Sequence, residues 1–573
     1  MTLNMRRYGR WFITGWVLSA WGAALLVVPA VGDAPPATPE ARPLAKPTAA
    51  QVAWQDMELE MFVHFGPATW ENVQHSNLTA PLSALNPKEL DTDQWADVAV
   101  SMGAKQIVFV AKHDGGFCWW QTDTTEYSVK NTPWRDGKGD VMKDLAASCR
   151  TRGLRLGVYL SPADKKQGVG VGGRAKSPAE QENYNRIYRQ QLTELLSRYG
   201  EISEVWFDGS NAVPVEDILR RYVPHAMIFQ GPQATITWIG NEEGVARYPT
   251  WNAMPAEKAR SGVSTGYDSD PDGEVWLPSE CDARIRADWF WSTNNVSTLK
   301  SVEQLMGMYY GSVGHGAVLL LNHTPDTTGR IPEADVRRAA EFGAEIRRRF
   351  GRSLAEVSGH GSVVEIDFGK LTRFDHVVTA EEIAEGERVR EYVIEGLVNG
   401  AWRQLCEGTA IGHKKIDRFA PVEAAKLRLR ITRAAAEPRI RKLAAYSVWG
   451  DKPPVAEEGE IAAIARTLWH WSRDNVAPLG STVNVDLTPF CKDAGVYVLE
   501  FVRTAGKELE VQSVDLVSRG QKIDKVVVRR LVRGVPQYHI TITEEGSAYQ
   551  LQVTARLPDA ASQGQATLCR RIR

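Results

Sequence analysis

Met61-Phe62-Val63-His64-Phe65, Gln106-Ile107-Val108-Phe109-Val110 and Leu154 to Leu160 are short, nearly unbroken apolar runs. Runs of this kind suit strands buried on both faces, which parallel sheets covered by helices provide. The segments between them carry the end signals of helices. Asp91 or Asp93 precedes a stretch closed by Gly103, Asp140 precedes Val141 to Arg152 and Gly153, and Ser177-Pro178 opens a long stretch closed by Gly200. Side-chain acceptors, a first-turn proline and terminal glycines are what helix ends require. The alternation continues through Ser203 to Phe207, Met227-Ile228-Phe229, Ile236 to Ile239, Val275-Trp276-Leu277 and Val318 to Leu321. About eight strands alternating with helices over roughly 300 residues predict a (β/α)8 TIM-like barrel over residues 50–351. A doubly wound sheet is the second reading. It is disfavoured because no G-x-G-x-x-G follows the first strand and no phosphate-loop motif occurs.

Beyond the helical pattern Pro332 to Phe350 the texture changes to short alternating segments with Gly and Asn turns, among them Val363 to Ile366, Phe374 to Val378, Val389 to Ile394 and Lys426 to Ile431. These read as an antiparallel β-sandwich over 352–451. A second set, including Val483 to Leu487, Val496 to Val502 and Tyr549 to Val553, follows the Pro-containing stretch Lys452 to Glu457 and predicts another β-sandwich over 458–573. The expectation is a multi-domain chain, one barrel followed by two β-sandwiches. A length of 573 residues is consistent with this, since a domain takes about 100–200 residues.

The N-terminus reads differently. Arg6, Arg7 and Arg10 precede an uncharged apolar run from Trp11 to Gly32, the pattern of an export signal over residues 1–32. The run also has the length of a membrane span, so an uncleaved anchor is the alternative. Five prolines between Pro35 and Pro47 make 33–49 an extended linker. Both readings place the folded part outside the cytoplasm, periplasmic or secreted. The six cysteines show no C-x-x-C spacing, which excludes a zinc knuckle or a thioredoxin-like motif, and no pairing is assigned. Lys+Arg 68 against Asp+Glu 70 gives no basic field for nucleic acid. The 19 tryptophans offer flat faces on which a sugar ring can stack, or they fill cores.

In a barrel, chemistry sits at the carboxyl ends of strands, so polar residues directly after apolar runs are the candidates. They are His64, His113, Asp114, Asp208, Glu242, Glu243, Glu280, Asp282 and Asn322. Asp208 closes Glu204-Val205-Trp206-Phe207-Asp208-Gly209, and Glu242 closes Thr237 to Glu242. Two carboxylates from different strand ends can serve as nucleophile and acid/base of a glycosidase, or each can cap its strand. His113 with His64 and Asp114 can ligate a metal, although a hydrogen-bonding histidine is the commoner case. Phe117, Trp119 and Trp120 are site walls or core.

Several of these segments together resemble the α-L-fucosidases of glycoside hydrolase family 29. They are Met61 to Gly66, Ala111-Lys112-His113-Asp114-Gly115-Gly116-Phe117-Cys118, Thr124 to Val129 with Trp134-Arg135, Gly157 to Pro162, Trp206 to Gly209, and Gly240-Asn241-Glu242. The resemblance implies a retaining exo-α-L-fucosidase with Asp208 as nucleophile. Its Gly-Asn-Glu block resembles the branch acting on α-1,3/1,4-linked fucose, with Glu242 as acid/base. It implies sugar contacts from His64 and His113, with Phe62, Tyr159 and Trp206 around the ring. Asp114 stands where many members carry a second histidine, so a second hydroxyl contact is in question there. The Asp208-to-Glu242 spacing is shorter than expected for that branch. Glu280, in a further family-like block with Arg284, Arg286 and Trp289 close behind, is a reserve acid/base or aglycone contact. The segment from about 352 to 450 resembles the discoidin-like (F5/8 type C) sandwich. The resemblance implies no cofactor and no metal, and a fucosylated oligosaccharide or glycoconjugate as partner. A non-catalytic sugar-binding barrel, or a retaining glycosidase for a related sugar such as α-galactose, is the rival expectation.

Overall fold

A computed structural model of the protein describes residues 43–449, 466–488, 495–523 apart from 506 and 508, 527–532, 535–542 and 548–571. The expected export segment and the 452–457 stretch lie outside the described residues. Residues 43–48, expected as linker, already belong to the fold: Ala45 is buried, Lys46 pairs with Glu385, and Thr48 caps the helix Ala49–Gln55.

The first fold is an eight-stranded parallel sheet. Its strands are β1 Leu59–Val63, β2 Gln106–Lys112, β3 Arg155–Leu160, β4 Glu204–Trp206, β5 Met227–Phe229, β6 Thr237–Trp238, β7 Ser279–Arg284 and β8 Val318–His323. They run in the order β5-β4-β3-β2-β1-β8-β7-β6, and a parallel bridge between Phe229 and Ile236 closes the ring. Alternate residues face opposite sides of each strand. Phe62, Val108, Val110, Tyr159, Trp206 and Leu320 fill one apolar cluster inside the barrel. Met61, Ile107, Phe109, Val158, Val205 and Leu321 belong to another, packed outward against the helices. Thr92–Met102, Val141–Arg152 and Pro178–Arg198 start where the sequence signals place them. The side chains of Asp91, Asp140 and Ser177 accept from backbone N–H groups of the first turn. The helical layer is thinner than eight repeats. No helix connects β5 to β6, and the β6-to-β7 connection holds, among the described residues, only the short helices Ala256–Ala259 and Gly266–Asp268.

One strand differs from expectation. Val275-Trp276 forms a two-residue hairpin with Ala253–Met254, and the barrel strand is its neighbour Ser279-Glu280-Cys281-Asp282-Ala283-Arg284. Cys281 and Ala283 supply its outward apolar face, while the inward face carries carboxyls, so the strand lacks a continuous apolar run. The lower interior of the barrel is correspondingly polar. Glu60, Glu204 and Glu280 are fully buried, with a carboxylate oxygen of each within 4.8 Å of the others. Trp54 Nε1 donates to Glu204 at 3.0 Å, Gln106 Nε2 donates to Glu60 at 3.0 Å and to Glu204 at 2.8 Å, and Trp206 Nε1 donates to Glu280 at 2.7 Å. Burial pushes the Glu60 and Glu280 carboxyls well above their ordinary range, reinforced by the charge of Glu204. Glu60 and Glu280 thus keep their protons beside Glu204, the least costly state for buried carboxyls without a cation.

Behind the helix Glu333–Phe350 stands a six-stranded antiparallel sheet between Ala355 and Tyr446. Its long strands Val363–Glu381 and Lys415–Ala434 fold over on themselves around Phe374, Tyr392, Leu427 and Leu443. Val378, Ile416, Ala444, Tyr446 and Val448 pack into the same core as the barrel helices. His413 Nε2 and Arg441 Nη1 meet Asp56 at 2.8 and 2.9 Å, and Lys414 Nζ meets Glu58 at 2.8 Å, all just before β1. From Arg466 onward a five-stranded and a four-stranded antiparallel sheet enclose a separate core around Trp471, Leu499, Leu516, Ile540 and Leu551.

Candidate active site

The carboxyl ends of the strands bring most of the expected residues into one ring. Tyr159, on β3, donates its hydroxyl hydrogen to Asp208 Oδ2 at 2.9 Å, just beyond β4. The Tyr159 ring stacks on Trp206, with centroids 5.5 Å apart, and on His113 at 5.8 Å. His113 stands 5.8 Å from His64, and His64 stands 5.0 Å from Trp289. Trp289 Nε1 donates to Glu242 Oε2 at 3.3 Å, closing the path from one acidic residue to the other. Phe62 lies edge-on to His64 at 4.5 Å, and Trp206 is stacked on Phe229 at 3.6 Å. Asp208 is exposed in the opening, and the aromatic rings beneath it are almost completely buried. The result is an acidic residue on either side of an aromatic floor.

Two histidines here differ in how they are held. Asn322 Oδ1, on β8, accepts from the His64 backbone N–H at 3.2 Å and faces His64 Nδ1 at 2.8 Å. Asn322 Nδ2 donates to the Trp289 carbonyl at 2.9 Å, which fixes the amide's orientation. His64 Nδ1 therefore carries the ring proton and Nε2 is left as an acceptor. Burial, then the neighbouring His113, pushes the His64 imidazole well below its ordinary range, so it is neutral. His113 is held from its outer side. His75 stacks on it at 5.6 Å, and Asp114 Oδ1 lies 2.9 Å from His113 Nδ1 in an orientation that makes no hydrogen bond.

The surroundings of Glu242 are set by β6 and β7. Gly240 has φ +101, and a Cβ there would meet the Tyr267 ring at 2.5 Å, so only glycine makes this turn toward Glu242. Arg284 Nη1 lies 3.6 Å from Glu242 Oε2, and its guanidinium covers the Trp289 ring at 5.2 Å. Below them Asp282 accepts from Trp238 Nε1 at 2.6 Å. Burial pushes the Asp282 carboxyl up to about 7, and the charges of Glu242 and Asp208 add to that rise. Glu243 bridges to Ala283 through the backbone, a structural position.

Three expectations change. Glu280 does not reach a sugar or its leaving group. It points into the closed lower barrel, fully buried against Trp206, because β7 begins at Ser279 and Glu280 is its second residue rather than a strand-end residue. Asp114 turns its carboxylate to its neighbours rather than to the opening: His75 Nδ1 and Lys165 Nζ both lie 3.1 Å from its Oδ2, and its buried Oδ1 faces His113 Nδ1 at 2.9 Å. Burial opposes its charge, yet these imidazoles hold the Asp114 carboxyl below its ordinary range. The grouping of His64 with His113 and Asp114 is replaced by His75, His113 and Asp114, whose ligand atoms converge, while the His64 ring stands 5.8 Å from that of His113. His75 and Phe290 were not foreseen: His75 lies in an irregular loop after β1, and Phe290 lies beyond β7, neither next to an apolar run.

A parallel barrel with paired acidic residues over an aromatic floor at the carboxyl ends of its strands is the architecture of a glycoside hydrolase. Residues 51–348 match the family model described as alpha-L-fucosidase. The chain is 31% identical over 453 residues to alpha-L-fucosidase 1 of Arabidopsis thaliana, covering 70% of this chain and 88% of that one. It superposes with a TM-score of 0.67 at 33% identity on the crystal structure of a putative alpha-L-fucosidase from Bacteroides thetaiotaomicron, over 71% of this chain and all of that one. A fucosidase of Ruminococcus gnavus in complex with fucose superposes with a TM-score of 0.62 at 27% identity, over 70% of this chain and 95% of that one. The chain belongs to the alpha-L-fucosidase family.

Proposed function

We propose that the protein is a retaining exo-α-L-fucosidase in which Asp208 is the nucleophile and Glu242 the acid/base. The observation that carries this is the unbroken path Asp208–Tyr159–His113–His64–Trp289–Glu242 around a single opening. Ionised Asp208, oriented by the Tyr159 hydroxyl, attacks the anomeric carbon while Glu242 gives its proton to the departing oxygen. The bond from carbon to the leaving oxygen breaks as the bond to Asp208 Oδ forms. Glu242 then takes a proton from water, which displaces Asp208 and releases fucose, and two inversions restore the α configuration. Neutral His64, with Nε2 free to accept, and His113 are placed to hold sugar hydroxyls, and Trp206 and Tyr159 form the apolar wall.

The complex of the Ruminococcus gnavus fucosidase with fucose supports a fucosylated oligosaccharide or glycoconjugate as substrate. The Gly240-Asn241-Glu242 block supports α-1,3/1,4 linkages. The N-terminal pattern supports action outside the cytoplasm, periplasmic or secreted, by cleavage of an export signal or by anchoring. The sheet between Ala355 and Tyr446 is read as a discoidin-like support. Hydrolysis of an aryl α-L-fucoside and of an α-1,3/1,4-fucosylated trisaccharide, with aryl α-galactoside beside them, tests the activity. Asp208→Ala is expected to abolish turnover, with azide restoring part of it as fucosyl azide. Glu242→Ala should slow the trisaccharide far more than the aryl fucoside, because a good leaving group needs little protonation. Full activity of Asp208→Ala refutes the nucleophile, and equal losses on both substrates refute the acid.

A further inference from the structure

We propose that His75, His113 and Asp114 form a binding site for a divalent transition-metal ion of the zinc class, whose occupation shuts the sugar-cleaving centre. The three side chains converge at the rim of the opening. One ligand atom of each lies within 4.8 Å of the others. His113 Nδ1 is 2.9 Å from Asp114 Oδ1, and His75 Nδ1 is 3.1 Å from Asp114 Oδ2. A tetrahedral ion with bonds of about 2.0 Å sets its ligands about 3.3 Å apart; the two contacts to the Asp114 carboxylate are near that value, and the remaining separation, within 4.8 Å, closes by rotation of the exposed His75 ring. His113 Nδ1 and Asp114 Oδ1 are moreover buried atoms that face each other without making a hydrogen bond. An ion between them would satisfy both at once.

The donor set fixes the class of ion. Two imidazoles and one carboxylate suit zinc, cobalt or nickel, whereas calcium and magnesium take oxygen ligands in larger number. Access is also provided. The His75 side chain is 63% exposed and its loop opens to solvent, which leaves a fourth position for water. Lys165 Nζ, 3.1 Å from Asp114 Oδ2, supplies the counter-charge in the metal-free state. It is itself 41% exposed and can swing out when an ion takes its place. Binding through His113 Nδ1 acts on the ring that stacks against Tyr159, and Tyr159 holds Asp208. An ion therefore reaches the proposed nucleophile through two residues, His113 and Tyr159. The inhibitory consequence rests on the function proposed above, but the binding does not.

The full-length protein, stripped with EDTA and dialysed, is titrated with cobalt(II) while its visible d–d absorption is followed, and with zinc(II) during hydrolysis of an aryl α-L-fucoside. One saturable cobalt band per chain, displaced by zinc, is expected, together with loss of hydrolysis that EDTA reverses. His75→Ala, measured against its own metal-free activity, should raise the zinc concentration for half-inhibition by at least the roughly 10–100-fold that loss of a mere outer partner costs, since a ligand itself is removed. Lys165→Met should lower that concentration. Absence of the band, or a band and inhibition unchanged in His75→Ala, overturns the site. Absence of hydrolysis in the metal-free protein refutes the fucosidase reading instead, and the cobalt band still decides the metal site.

Discussion

Replacing Glu204 by Gln tests the proton-sharing floor of the barrel. Burial pushes the Glu204 carboxyl from its ordinary 4.5 to about 7, against the donors Trp54 and Gln106 that favour its charge. Because the folded value lies above the unfolded one, the folded state binds the extra proton between these limits. Stability therefore falls as pH rises from about 4.5 to 7, by about 3 kcal/mol in all, and stays lowered above that. A glutamine keeps the shape and can accept the same two donors, while its amide nitrogen stands among the carboxyls of Glu60 and Glu280. The variant should lack this loss. Thermal unfolding between pH 5 and pH 8 should show the wild-type barrel losing about 5 °C more than the variant, as about 3 kcal/mol corresponds to for roughly 300 residues. A variant that loses as much midpoint as wild type over that range, or is destabilised equally at both ends, refutes proton sharing.

Asn322→Leu removes the acceptor that fixes His64 and leaves the His64 N–H groups and the Trp289 carbonyl unpaired, so kcat/KM for an aryl fucoside should fall about tenfold to a hundredfold, mainly through KM, and the thermal midpoint should fall with it. A fall confined to kcat would show that His64 serves the chemistry rather than the hold on the sugar. Asp282→Asn removes a carboxyl that burial pushes up to about 7. The pH profile of kcat/KM should lose an inflection near neutrality, and an unchanged profile would show that Asp282 is silent during turnover.

What the sequence made legible and what it hid follow from one rule and its failure. Helix starts were readable at Asp91, Asp140 and Ser177 because capping is local chemistry between a side chain and the next turn. That Asp208 and Glu242 stand at the mouth of the barrel is legible because short apolar runs end just before them. The strand Ser279–Arg284 was hidden, since its inward side chains are Glu280 and Asp282, and an apolar-run criterion selects its neighbour Val275-Trp276-Leu277 instead. The misplacement of Glu280 is the same error seen again: a residue inside one strand was counted as the end of another. Which side chains meet inside a barrel depends on strand stagger, as with Glu60 and Glu204, which lie far apart in the chain. His75 was beyond any local pattern, because what brings it to His113 is the path of a loop.

The attachments of the first antiparallel sheet also set what that sheet can do for a substrate. His413, Lys414 and Arg441 grip Asp56 and Glu58, ahead of the first strand, whereas the catalytic opening lies where the strands finish. A glycan held near those attachments would sit at the opposite pole from the opening. To occupy both places one chain would have to span the barrel's height, about 20 Å for strands of six residues. Short fucosylated trisaccharides cannot do so and gain no avidity from a hold at that pole, while long polymers or a surface studded with glycans can raise the effective concentration at the mouth.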